Sequence, residues 1–241
     1  MKVKETRTLT GSGENQGVAL TDLLNNFAEY LVNNDSNMQA YKTLSDGVAI
    51  QHEDLQDIML CLYVASGIMY SVVASKDKID EATSINSMDK LISTRMDTTW
   101  NPANYIAELT LTNIRNEKNV LIMTKSSNLN SFPIAFLQDN EGKMHLTSGK
   151  LSNKQICYNT SDNLSRIYNI ASEEINMETD DIIFITNARL LYAAENTMKT
   201  VYLQNIYAVI GNNLNTGMEY LIKNEKYFAL NDKFMFKLGE E

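Results

Sequence analysis

Residues 58–75, IMLCLYVASGIMYSVVAS, carry no charged side chain. Any fold of this chain must hide them, inside protein or in a bilayer. As a helix the run sets Tyr63, Ser66, Gly67, Tyr70, Ser71 and Ala74 along one slightly polar stripe, with Ile58, Leu62, Ile68, Met69, Val72 and Val73 on the remainder. Its length is at the lower limit of about 18 residues for a membrane span. Acids precede it, mixed charges follow it, and no Lys/Arg cluster fixes an orientation. The expectation is a central helix wrapped by other helices, with a membrane-associated role for 58–75 as an alternative.

Helical spacing recurs on both sides of this run. Leu20, Leu23, Leu24, Phe27, Tyr30 and Leu31 share one face of a helix read from Thr21. Ser36 and Gln39 form a capping box for a short helix over SNMQAYKTL. Ile85, Met88, Leu91, Ile92 and Arg95 suit an antiparallel return against the central helix. Farther on, Ser152 with Gln155 and the face of Leu164, Ile167, Tyr168 and Ala171 predict helices. So do the apolar segment from Thr179 to Gly211 and the Thr216/Glu219 capping box.

The period changes to two from Tyr105. AELTLTN, NVLIMTK, FPIAFLQ and MHLTSG, with DNEGK as a turn, predict a small antiparallel sheet over 105–148. Asn101-Pro102 leaves open a helix through Ile114 in place of the first strand. Residues 2–9 read as an exposed strand or arm. KYFALNDKFMFKLGEE reads as a hairpin turning at Asn231-Asp232, with Phe234, Phe236 and Leu238 on one side. An aromatic edge of that kind invites pairing with another chain. The expected fold is α+β: mainly a helical bundle with an inserted small antiparallel β-sheet and β-strand-forming termini. Its parts are an extended arm 1–17, a helical region 18–100, a β region 101–150, a helical region 151–225 packing with 18–100, and a hairpin 226–241.

Chemistry is sparse. A net charge of -9 argues against a binder of phosphate backbones. Cys61 and Cys157 form no disulfide framework, and the polar start MKVKETRTLTGSGENQG has no apolar core of a signal peptide, which points to the cytoplasm or a particle assembled there. Gly11, Gly13 and Gly17 follow a segment too polar for the buried first strand of a dinucleotide fold, so a hinge is the reading there. His52 stands near Glu53, Asp54 and Asp57, where helix capping and solvation account for the acids better than a metal does. His145 and Cys157 could make a thiol pair, but no nucleophile elbow, phosphate loop or zinc motif accompanies them. No catalytic, cofactor-binding or metal-ligating residue is assigned. Tyrosine combines apolar area with a hydroxyl and is enriched at interfaces. Tyr63, Tyr70, Tyr202 and Tyr207, with Val3, Leu9, Phe234, Phe236 and Leu238, are the interface candidates.

Asn fills about one position in nine and only 2 residues are Pro, a usage that follows AT-rich coding. With a helical bundle, an inserted sheet and strand-forming tails, the chain resembles the head-to-tail connector or ring proteins of tailed bacteriophages. Layout, composition and acidity carry the resemblance; no motif does. It implies a non-enzymatic structural subunit of a homo-oligomeric ring in the virion or host cytoplasm, joining portal and tail. Its partners would be copies of itself and other structural proteins, with DNA passing through unbound, no cofactor and no membrane. The alternatives are a soluble enzyme or ligand-binding protein with a site near His145, Cys157 and tyrosines, and the membrane-associated component.

Overall fold

A computed structural model describes residues 3–116, 119–124, 131–149, 156–160, 164–168, 184–194, 197–210, 214–222 and 224–240. Strand β1 (Val3–Ser12) leads into helix α1 (Gln16–Asn34). A meander follows: β2 (Met38–Leu44), β3 (Gly47–His52), β4 (Ile58–Ala65), β5 (Ile68–Ser75), the short helix α2 (Lys76–Glu81) and β6 (Ile92–Met96). These five strands form one antiparallel sheet in the order β2-β3-β4-β5-β6.

The remaining strands are β7 (Thr99–Asn101), β8 (Ile106–Arg115), β9 (Val120–Thr124), β10 (Ser131–Gln138), β11 (Met144–Gly149), β12 (Ile156–Tyr158) and β13 (Leu164–Tyr168). After them come β14 (Phe184–Ala194), β15 (Thr197–Ile210), β16 (Glu219–Ile222), β17 (Glu225–Ala229) and β18 (Phe234–Glu240). Together with β1 they make a second sheet, ordered β1-β8-β9-β10-β11-β12-β13-β14-β15-β18-β17-β16, with β7 beside β8.

The protein is therefore mostly antiparallel sheet, and the expected helical bundle is corrected. Residues 58–75 are a hairpin, not a helix: Met59 pairs with Ala74, Cys61 with Val72 and Tyr63 with Tyr70. Ser66 (φ 52°) and Gly67 (φ 73°) are both left-handed, as a two-residue turn matched to strand twist requires. Both faces of the hairpin are covered. Ile58, Leu60, Leu62, Met69 and Val73 join the core around α1. Met59, Cys61, Tyr63, Val72 and Ala74 pack with Ile79 of α2 and Ile85. Two covered faces remove the apolar/polar alternation by which a strand is recognised.

The same correction applies elsewhere. Region 18–100 holds only α1 and the six-residue α2 as helices. SNMQAYKTL is β2, and 85–95 runs irregularly into β6. In region 151–225 the described residues contain strands β12 to β16 and no helix, and the helix expected from Thr179 is replaced, where described, by the β14–β15 hairpin. Expectations for 152–155 and 169–183 fall outside the described residues. The alternation over 105–148 does form strands, β8 to β11, and the C-terminal hairpin forms as β17 and β18. The layout that carried the resemblance to connector proteins thus lacks its helical part. No helix among the described residues is long and apolar enough to cross a membrane.

Helix α1 is the centre of the larger core. Asn15 caps it, its Oδ1 accepting from the Val18 amide at 3.1 Å. Ala19, Leu20, Leu23, Leu24, Phe27, Ala28, Tyr30 and Leu31 are buried, one wide face that takes in about half of the helix circumference. Their cluster includes Val48, Ile50, Leu60 and Met96 from the smaller sheet and Leu9, Leu109, Leu111, Ile122 and Phe136 from the larger. Each such side chain fully removed from water contributes about 1.5–3 kcal/mol. The helix also covers part of the outer edge of β1: Asp22 Oδ2 accepts from the Ser12 amide and Asn26 Nδ2 donates to the Thr10 carbonyl, both at 2.8 Å.

The larger sheet folds back so that its first strands share a core with its last. Alternate residues of its first strands, Ile114, Leu121, Met123, Ala135 and Leu137, face away from α1 and pack with Leu190, Val201, Leu203, Phe228, Phe234 and Phe236. Two latches hold the halves. The turn after β10 docks on β15 through an Asp139–Leu203 bridge, and Asn140 and Tyr202 exchange two hydrogen bonds of 2.8 Å. At the other margin Lys4 Nζ reaches Glu219 at 2.5 Å and lies 4.6 Å over the Phe228 ring.

Gly11 sets how closely β1 approaches α1: a Cβ there would stand 2.1 Å from the Leu23 amide nitrogen and 2.3 Å from the Ala19 carbonyl oxygen. Backbone atoms cannot yield as side-chain tips do. Gly11→Ala is expected to destabilise the protein by about 3 kcal/mol, read as a lower urea midpoint; an unchanged midpoint would mean that β1 and α1 do not pack as described.

Candidate functional site

Where α1 ends, three loops and residues of five strands surround a cleft of about 590 Å³. The helix stops at Asn34, and the chain turns at once into β2, with Asp35 Oδ1 accepting from the Asn37 amide at 3.0 Å and the Asp35 carbonyl accepting from Met38 at 3.1 Å. This is the Asx-turn chemistry of a carboxylate that competes with helix continuation. The Glu53 amide donates to the Asn37 carbonyl at 2.9 Å, which ties the β3–β4 loop to the same wall. Asp35, Ser36, Asn37, Glu53 and Asp54 therefore line the cleft from the side of the smaller sheet.

The other wall belongs to the larger sheet. Strand β8 ends at Arg115, and the turn into β9 is stapled by asparagines. Asn116 Oδ1 accepts from the Asn119 amide at 2.8 Å, and the Asn116 amide donates to the Asn119 carbonyl at 3.0 Å. Asn119 is itself buried: its Oδ1 accepts from the Gln138 amide at 2.8 Å and its Nδ2 donates to the Gln204 carbonyl at 3.1 Å. Arg115 is half-buried, lines the cleft, and makes no ion pair among the described residues.

His52, the last residue of β3, is only 2% exposed and also lines the cleft. Its ring stacks on Phe136 of β10 with centroids 5.2 Å apart and planes at 25°. Nδ1 accepts from the Asp54 amide at 3.2 Å, which assigns the proton of the neutral ring to Nε2. Nε2 has no hydrogen-bond partner among the described residues. Burial pushes the imidazole below its ordinary value of 6.5, against the opposing pull of Asp35, Asp54 and Glu53. Behind this wall Asn113 donates from Nδ2 to the Tyr30 hydroxyl at 3.0 Å, and its Oδ1 is buried without a partner.

The residues singled out from sequence are scattered. Leu9, Tyr63, Phe234 and Phe236 are buried in the chain's own cores. Tyr63 stacks on half-buried Tyr70 at 4.9 Å. Half-buried Tyr207 meets Tyr227 edge-on at 5.6 Å, and Leu238 packs against the second core. Tyr202 is exposed. The backbone of Val3 pairs with Arg115.

The thiol reading of His145 and Cys157 is not supported by their surroundings. His145 Nε2 is 2.9 Å from Asp139 Oδ2 inside the protein. Burial pushes the Cys157 thiol up to about 12, and the Cys61 thiol likewise to about 12, so neither supplies a thiolate at neutral pH. Among the described residues no group of three or more His, Cys, Asp or Glu could hold a metal ion.

Sequence reasoning passed over Arg115 and Asn119. Their signal was the polar stretch between the strand segments AELTLTN and NVLIMTK, legible as a turn but not as a wall of a cleft. No family model, curated protein or solved structure matches the chain.

The depressed histidine has a pH consequence. Below 6.5 the unfolded chain takes a proton on His52 that the folded chain resists, so stability fully present above 6.5 is lost progressively as pH falls below it through the lower folded-state value. Asp139, held low, acts only below its ordinary 3.8. The fall in melting temperature from pH 7.5 to 5.5 is expected to be smaller in His52→Gln than in the wild type; equal falls would remove burial of His52 as the cause.

Proposed function

We propose that the chain is a binding protein that holds a small, charged, polar ligand in the cleft between its two sheets. The observation that carries this reading is Arg115: a half-buried guanidinium, unpaired among the described residues, in a cleft whose lining also includes three carboxylates. Taking a charge partly out of water without a partner costs free energy, and a ligand anion meeting a planar guanidinium recovers it. The cleft has the size of small-molecule sites, and its walls are set by hydrogen bonds internal to the loops. Binding is favoured over turnover because the His52 ring is fixed by stacking and by its Nδ1 bond, and both thiols are held protonated.

A second reading, a building block of a larger assembly, draws on one feature. The terminal strand β16 and the residue before it present Leu221 and Met218, each 57% exposed. Apolar side chains on a sheet edge suit contact with another chain.

The test is thermal unfolding of the wild type and of Arg115→Ala against a panel of small carboxylates, phosphates and amino compounds, with light scattering on the same samples. A ligand at 100 times its Kd raises stability by about 2.7 kcal/mol. The expected result is an upward shift with at least one compound that Arg115→Ala abolishes. A panel without effect, or one acting equally on both proteins, overturns the binding reading. A particle larger than one chain that dissociates in Leu221→Lys would favour the assembly instead.

A further inference from the structure

Resting on the binding reading above, we infer that the cleft takes a zwitterion of the amino-acid type, its ammonium on the carboxylate wall and its carboxylate on Arg115. The charges of the lining are sorted by the sheets. Asp35, Glu53 and Asp54 come from the two loops of the smaller sheet, whereas Arg115 ends a strand of the larger. No ion pair joins Arg115 to any carboxylate among the described residues, so the two signs line one cavity without neutralising each other.

A simple anion would meet one guanidinium and three carboxylates; a simple cation would leave Arg115 uncompensated. A dipolar ligand satisfies both walls at once.

Hydrogen-bonding capacity points the same way. His52, 2% exposed, has Nε2–H uncommitted and is a second donor for a carboxylate. The side chains of Ser36 and Asn37 make no hydrogen bonds among the described residues, and both line the cleft. They can receive a polar side chain, for which an amide is the natural probe. Burial keeps the imidazole neutral, so it adds a donor without adding charge.

Isothermal titration at pH 7.5 with L-glutamine, N-acetyl-L-glutamine and L-glutaminamide separates the charges. The first carries both, the second lacks the cation and the third lacks the carboxylate. L-Glutamine is expected to bind the wild type at least tenfold more tightly than either derivative. In Arg115→Ala the advantage over the glutaminamide should vanish; in Asp35→Asn with Asp54→Asn the advantage over the N-acetyl compound should vanish. Unchanged melting temperatures of the variants without ligand show that they remain folded. Binding of the N-acetyl compound as tight as L-glutamine, dependent on Arg115, would make the cleft an anion site, and equal binding of the glutaminamide, dependent on the acids, a cation site. Either result overturns the zwitterion while preserving the binding reading. No heat from any of the three overturns the zwitterion as well, and the binding reading falls only if the wider panel is also without effect.

Discussion

Burial of one wide face of α1 against two sheets at once is the constraint on which the rest of the structure depends. A helix that met a single sheet would bury one stripe. Here Leu20, Leu23, Leu24, Phe27 and Leu31 share one cluster with residues of both sheets. The larger sheet can then place its first strands between two cores, and NVLIMT loses its polar alternation because both faces are covered. Close approach is part of the same arrangement: Gly11 and Gly13 of the tripartite glycine pattern leave room where a Cβ would meet Leu23, Ala19 or Val18. A pattern that resembles a phosphate loop or a hinge in sequence is here a packing device.

The cleft follows from where that helix stops. Asn34 is the last residue of α1 and a cleft residue, and the turn made by Asp35 turns the chain into the smaller sheet there. The opposite wall is positioned from farther away. Asn119 joins the β8–β9 turn to β10 and to the Gln204 carbonyl of β15, beside Asn205, which sits at φ 60° where β15 bulges against β14. Gln204 in turn donates to the Asp139 carbonyl at 3.0 Å. The position of Arg115 is therefore linked through one buried asparagine to the latch that closes the second core, so packing in that core and the shape of the cleft are coupled.

Legibility in the sequence tracked how many faces each element buries. The apolar face of α1 was readable because its exposed side kept its polar residues, and β8 because Glu108 and Thr110 alternate with Ala107, Leu109 and Leu111. The hairpin of β4 and β5 was not, since no polar phase survives on either strand; the one local clue was Ser66-Gly67, a turn dipeptide inside the run. The Ser36/Gln39 and Thr216/Glu219 capping boxes misled for a related reason. Ser, Asp and Asn favour helix starts and tight turns by the same side-chain-to-backbone bond, and at Asp35 the turn won. The cleft was half visible: His52 with Glu53 and Asp54 stood out as a cluster, while Arg115 lies 63 positions away from His52 and only the crossing of the sheets brings them together.

The two histidines show why one marks the candidate site and the other does not. Burial works against the Asp139 carboxylate, but His145 and the amides of Lys143 and Glu141 outweigh it and hold the carboxyl below its usual range. That set of bonds shapes the turn that latches onto β15, and its polar capacity is spent inside the protein. His52 is as inaccessible as a core residue, yet one of its ring nitrogens is bonded and the other is not. In a cleft that also holds an unpaired guanidinium, the two unmet demands for an acceptor have a common answer: a ligand carboxylate reaching both.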